Sequence, residues 1–208
     1  MSLLVCECRK PWHSGAMAQV EVTAVSEDRV NVGHGIIVPE WWEVVVTGLA
    51  NIPGTVEVRV TWDDELSRAV AEKVALRRPD GGTEVTSVLL RQIRVQGAVL
   101  LSTYRVATVH RGTELGAHAF LKELEQKTDR TLQETLVDAA TVYRLAFVAN
   151  VAPLKIVAET LGVSQSSATR FMARARSEGL APDFLPPPDP YAAGPFLGPT
   201  SSGPSIGR

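Results

Sequence analysis

The spacing of apolar residues changes once along this 208-residue chain, and that change constrains the fold more than any other feature. From residue 19 to about residue 61, apolar and polar residues alternate, as in Val20-Glu21-Val22-Thr23, and β-branched runs are separated by glycine and proline. Alternation with period two is typical of half-buried β-strands. From Glu114 onward, apolar residues recur at intervals of three and four, which is typical of helices. The sequence therefore predicts an α+β fold, with a β-rich part followed by a helical part.

Proline marks the end of the region expected to fold. Eight of the thirteen prolines lie in the last 28 residues, where they remove amide donors and fix the backbone. We interpret this tail as disordered; the alternative is a docking peptide that uses Phe184, Tyr191 and Phe196. The predicted organisation has four segments: residues 1–17 as an N-terminal extension, 18–112 as a β-rich domain, 113–180 as a helical domain and 181–208 as the tail.

Two stretches of the β-rich part suggest helices. Asp63, Asp64 and Glu65 precede apolar residues at helical spacing up to residue 74, which predicts an amphipathic helix capped by the acidic residues. Residues 86–105 are apolar at irregular intervals, so that helical and mixed structure both stay open there.

Composition excludes several classes of protein. The chain has 21 Lys and Arg against 23 Asp and Glu, so it is not a polybasic nucleic-acid-coating protein. Its longest apolar stretches are much shorter than the roughly 18–20 residues of a membrane span. Cys6 and Cys8 are too close for an easy mutual disulfide, which favours a reducing compartment. We therefore expect a soluble, cytoplasmic protein.

No arrangement of residues predicts catalysis or metal binding. Cys6, Cys8 and His13 supply three ligands, whereas a structural zinc site needs four. A nucleophile elbow, a P-loop and a His-Glu-x-x-His pattern are all missing from the sequence. We expect a protein that is not an enzyme and that needs neither a metal nor a cofactor.

The most informative stretch is residues 152–180, APLKIVAETLGVSQSSATRFMARARSEGL. Pro153 suits the first turn of a helix, Gly162 permits the left-handed backbone of a sharp turn, and Ser164 can cap a second helix that runs to about Glu178. The two helices can pack if the small Ala158 lies where they cross. The apolar seam between them is predicted at residues 157, 161, 163, 168 and 171.

This stretch resembles the helix-turn-helix family of DNA-binding proteins. The resemblance rests on Ala158, on Gly162 four residues later, on the apolar positions of the seam and on the Gly-Val-Ser turn. Together with a preceding helix at about residues 131–149, it is similar to small helix-turn-helix proteins common in actinobacteria and their phages. The resemblance covers about the last third of the region expected to fold. It implies sequence-specific binding of double-stranded DNA, most simply by a transcriptional regulator.

The helical period indicates which side chains of the second helix face DNA. With Ala168, Phe171, Met172 and Ala175 toward the core, polar side chains occupy the opposite face. Such a helix fits the major groove, where Arg can bind guanine and Gln can bind adenine. The predicted base contacts are Gln165, Ser166, Thr169 and Arg170, and the predicted phosphate contacts are Lys155, Ser164, Arg174 and Arg176.

One copy of this unit is expected to bind DNA weakly, because residues 151–180 carry a net charge of only +2. A homodimer that reads two half-sites would compensate, with the dimer contact in the helix at 131–149 or in the β-rich part. The sequence identifies no small-molecule effector. Alternative uses of the same helix are an accessory role in phage recombination, replication or packaging, and docking of another protein by the helical domain and the tail.

Overall fold

The computed structural model describes residues 18–49, 52–82 and 84–181, which form eight strands and six helices, so the chain is α+β as predicted. The strands are β1 (Gln19–Val25), β2 (Arg29–Gly33), β3 (Ile36–Pro39), β4 (Trp41–Thr47), β5 (Thr55–Asp63), β6 (Arg68–Arg77), β7 (Thr108–Arg111) and β8 (Thr113–Gly116). The helices are α1 (Ser87–Gln92), α2 (Val95–Val106), α3 (Ala117–Gln126), α4 (Leu132–Val148), α5 (Pro153–Leu161) and α6 (Gln165–Ser177). Residues 86–105, left open by the sequence, are thus mainly helical.

The strands form two antiparallel sheets, which are connected by backbone hydrogen bonds. The first sheet has the order β1-β4-β5-β6, and the second has the order β2-β3-β7-β8. Where the pairing passes from one sheet to the other, Ser26 N donates to Trp41 O at 2.9 Å and Glu40 N donates to Asp28 O at 3.0 Å. The segment β1–β2 therefore pairs with the segment β3–β4 along its whole length, first as β1 with β4 and then as β2 with β3. Backbone hydrogen bonds thus connect the two sheets.

The first sheet buries the alternating residues against α2. On β4 and β5 every second side chain is buried, while the residues between them are half-buried. Trp42 is fully buried, and its Nε1 donates to Ser102 Oγ on α2 at 2.9 Å. The opposite face is polar, with Arg59 bridging Glu43 and Glu72 across three strands. The period-two prediction is therefore confirmed for these strands.

The helix predicted from Asp63 to residue 74 is wrong, because this segment forms the turn between β5 and β6 and then most of β6. Asp63 Oδ1 accepts from Leu66 N at 2.8 Å, so the carboxylate caps a turn. The register of β5 and β6 shifts between Arg59 and Val60, which places residues 69, 71, 74 and 76 opposite the buried side of β5. This bulge interrupts the period of two on β6, where Val70 faces the opposite side of the sheet and Val74 is 40% exposed, so the strand lacks the regular alternation of β4 and β5.

A second core lies between the second sheet and the C-terminal helices. It contains Val32, Ile36 and Val38 from the sheet together with residues of α3 to α6. The boundary predicted between residues 112 and 113 falls at the turn of the β7–β8 hairpin, which belongs to the second sheet. Strands from the β-rich part therefore complete the core of the helical part.

The described chain ends in packed structure. Ala181 is 4% exposed and belongs to the second core, and its N–H donates to Ala175 O at 3.3 Å. Ala181, which the sequence analysis placed in the tail, is therefore packed against the second core. The predicted extension at residues 1–17, with Cys6, Cys8 and His13, and the rest of the tail, with Phe184, Tyr191 and Phe196, lie outside the described residues.

The turn between β2 and β3 requires glycine at position 35. Gly35 has φ +71°, and a Cβ there would overlap the carbonyl oxygen of His110, whose N–H donates to Gly35 O at 2.7 Å. Gly112 has φ +79° but open space around it. We expect Gly35→Ala to lower the free energy of unfolding by about 2–4 kcal/mol and Gly112→Ala by about 1 kcal/mol, measured by urea denaturation. Equal losses would show that the close approach to His110 has no energetic weight.

His34 in the same turn predicts a pH dependence of stability. Burial lowers the pKa of His34 below its ordinary value of 6.5, and the charges of Arg144 and Arg111 lower it further. Since the unfolded chain takes up this proton more readily, the stabilising effect is complete above about pH 6.5 and is lost as the pH falls through the lower folded pKa. We expect the urea midpoint to fall between about pH 7 and pH 5, and to fall less in His34→Asn, which tolerates the left-handed backbone but does not titrate. Identical pH profiles would contradict this.

Candidate nucleic-acid interface

The turn between α5 and α6 is formed by the residues that the sequence indicated. Pro153 occupies the first position of α5, and Gly162 adopts a left-handed conformation with φ +65° and ψ +32°. Val163 N donates to Ala158 O at 2.9 Å across the turn, as in a Schellman motif. Ser164 then caps α6 by accepting from Ser167 N at 3.1 Å. The predicted helix, turn and cap are confirmed.

The predicted apolar seam between α5 and α6 is also confirmed. Val157, Ala158 and Leu161 on α5 are buried, and so are Ala168 and Met172 on α6. Val163 and Phe171, the remaining members of the seam, are half-buried and pack against the same core. The orientation of α6 is therefore fixed by its apolar side, which leaves its polar side outward.

Helix α4 supports both helices from behind. Most of residues 136–149 are buried, and α4 packs against α5 and α6. Of the two dimer surfaces suggested by the sequence, the one on the helix at 131–149 is therefore largely buried within the chain, except at its first turn, where Leu132 is 45% exposed. A dimer contact in the β-rich part stays a prediction.

The four side chains predicted to contact bases lie together on the first two turns of α6. Gln165, Ser166, Thr169 and Arg170 are all exposed. Thr169 Oγ1 donates to Gln165 O at 2.9 Å, and Arg170 Nη2 reaches Ser167 Oγ at 3.4 Å. Within the described ranges Arg170 forms no ion pair, so its guanidinium is available to an external acceptor.

Two of the predicted phosphate contacts are paired with carboxylates on their own helices. Lys155 Nζ lies 3.9 Å from Glu159 Oε1 on α5, with both side chains largely exposed. Arg174 Nε donates to Glu178 Oε1 at 2.6 Å at the end of α6. The spacing of four residues in both pairs is visible in the sequence and is the signal that could have identified these acidic partners.

The other two predicted phosphate contacts also have partners inside the chain. The guanidinium of Arg176 lies over the ring of Tyr143 on α4, 5.5 Å from its centroid. The Ser164 hydroxyl caps α6 and also lies 2.9 Å from Ser166 Oγ. Sequence reasoning did not identify Tyr143, because its contact with Arg176 depends on how α4 packs against α6.

The acidic residues near the β5–β6 turn have structural partners. Asp63 caps the turn, and Asp64 Oδ1 accepts from Trp62 Nε1 at 2.7 Å. Among the described residues there is no group of three or more His, Cys, Asp or Glu side chains placed to hold a metal ion. In the same part of the chain, no helix has the length and apolarity needed to cross a membrane.

Comparison with protein-family models, with curated proteins and with solved structures finds no match to this chain.

Proposed function

We propose that the protein is a cytoplasmic transcriptional regulator that binds double-stranded DNA in a sequence-specific manner through α6. The observation that carries this proposal is the packed α4–α5–α6 unit, whose apolar sides face the core and whose polar residues on α6 face outward. A helix of this size fits the major groove, which presents a distinct pattern of donors and acceptors for each base pair. In this proposal the helical domain predicted at residues 113–180 supplies the DNA contact through its helix-turn-helix stretch, residues 152–180.

Each exposed residue of α6 has a defined chemical role in the proposal. Arg170 can donate two hydrogen bonds to guanine O6 and N7, and Gln165 can pair with adenine N6 and N7. Ser166 and Thr169 can bond to either kind of base, and the Thr169 methyl group can contact thymine. Lys155, Arg174 and Arg176 contact phosphates and position α6 along the groove.

A symmetric dimer completes the proposal, because one copy makes few phosphate contacts. Its two recognition helices would read half-sites about one helical turn of DNA apart. Since most of α4 is buried by intrachain packing, the β-rich residues 18–112 offer the larger free surface for dimerisation or for sensing an effector.

Selection from a random duplex pool tests the proposal. The purified full-length protein is incubated with the pool at about 50 mM and about 200 mM salt, and bound DNA is sequenced. We expect one enriched motif at both concentrations; a palindrome would support the dimer and give the half-site spacing. Recovery of DNA without any enriched motif, or no recovery at all, would contradict the proposal.

A further inference from the structure

The cations at the candidate interface differ in their carboxylate partners. Lys155 and Arg174, two of the three cations assigned to phosphates, each pair with a glutamate four residues later. The third cation, Arg176, lies over the ring of Tyr143. Arg170, assigned to a base, has no such partner in the described part of the chain. In the described part of the chain, the glutamates of the candidate interface therefore pair only with cations that are proposed to contact phosphates. Phosphate contacts do not distinguish one base sequence from another.

The two ion pairs add little to the stability of their own helices. In an isolated helix, a pair with the glutamate first and the cation four residues later is the more favourable order, and both pairs here have the reverse order. Glu159 lies in the last turn of α5 and Glu178 follows the end of α6, where the negative end of the helix dipole disfavours a carboxylate. Both positions are therefore unfavourable for a carboxylate within its own helix, and at both the glutamate lies beside a cation of the candidate interface.

We infer that Glu159 and Glu178 set the strength of DNA binding by competing with phosphates for Lys155 and Arg174. This inference rests on the proposed function. Each carboxylate partly neutralises the cation that a phosphate would contact, and it also repels the DNA backbone. Both effects weaken binding to every sequence by a similar factor, because phosphate contacts do not depend on the base. The glutamates thus keep binding to non-specific DNA weak while Arg170 retains its full contribution.

The test uses Glu159→Gln and Glu178→Gln in the full chain, singly and together. Affinity for a random-sequence duplex is measured by fluorescence anisotropy over a range of salt concentrations. Glu57→Gln is the matched control, since Glu57 pairs with Arg77 at 2.9 Å on the outer face of the first sheet and the change in net charge is the same. We expect each interface variant to bind about twofold to fivefold more tightly than the wild type. The slope of log affinity against log salt should become steeper by about 1 for each.

The possible outcomes separate this inference from the function on which it rests. If the wild type binds DNA and both interface variants match Glu57→Gln in affinity and slope, the inference is wrong while the proposed function stands. If neither the wild type nor any variant binds duplex DNA at low salt, both are wrong. Thermal unfolding of each variant shows whether the fold is intact, and tighter binding with an unchanged or higher midpoint supports competition with phosphate. Tighter binding to only one DNA sequence would overturn the inference.

Discussion

Replacing Arg170 by alanine is expected to remove the protein's preference for guanine at one position of its binding site. A guanidinium that bonds to guanine O6 and N7 contributes about 1–3 kcal/mol of discrimination against other bases, so we expect affinity for the selected site to fall about tenfold to a hundredfold. Affinity for random DNA should fall much less, because only one positive charge is lost. The measurement is anisotropy with the selected duplex and a scrambled duplex of the same length.

The fold should survive this change, which makes the result interpretable. The side chain of Arg170 is exposed, and its one hydrogen bond in the described part of the chain is the 3.4 Å contact with Ser167 Oγ. Alanine is also a strong helix former. Arg91→Ala on α1 removes another exposed arginine and serves as the control. Arg170→Lys keeps the charge without the planar pair of donors, and we expect it to resemble Arg170→Ala in specificity. An unchanged motif in both Arg170 variants would contradict the assignment of α6 as the recognition helix.

Sequence reasoning succeeded where structure depends on short-range chemistry. The turn between α5 and α6 follows from Pro153, Gly162 and Ser164, because each residue acts on backbone within a few positions of itself. The exposed and buried sides of α6 follow in the same way from helical periodicity. The four predicted base-contact residues could therefore be placed on one surface before any tertiary contact was known.

Reasoning from the sequence failed where partners are distant along the chain. The bulge that places Ala71 and Val74 on the same side of β6 is set by pairing with β5, so the local pattern lacked the regular alternation of a strand. Asn150, just before α5, accepts from Arg68 at 2.6 Å and donates to Gln96 at 2.9 Å, and neither contact has a local signal. The β-rich part thus contacts the connection between α4 and α5 at a residue that periodicity cannot identify.

A buried charge cluster on α4 also joins residues that are distant in the sequence, so no local pattern predicts it. Asp138 on α4 has a side chain only 3% exposed, and it pairs with Arg111 of β7 and with Arg130, whose Nε lies 3.4 Å from Asp138 Oδ2. Arg111 also donates to Thr141 Oγ1 at 2.8 Å. Because α5 and α6 pack on α4, this cluster connects the second sheet to the helices of the proposed DNA-binding unit.

Asp138→Ala is expected to be the most destabilising substitution proposed for this protein. It leaves Arg111 and Arg130 without their shared carboxylate in a largely buried site, and removal of one partner from a buried ion pair costs about 3–5 kcal/mol. Asp138→Asn keeps the size of the side chain and should lose a large part of the same free energy, because the missing charge is the main effect. Glu125→Gln, at an exposed position of α3, should change the free energy of unfolding by no more than about 0.5 kcal/mol. Urea denaturation compares the three variants with the wild type. If Asp138→Ala were as stable as Glu125→Gln, the cluster would contribute nothing to the attachment of α4. The connection between the second sheet and the α4–α5–α6 unit would then depend on apolar packing alone.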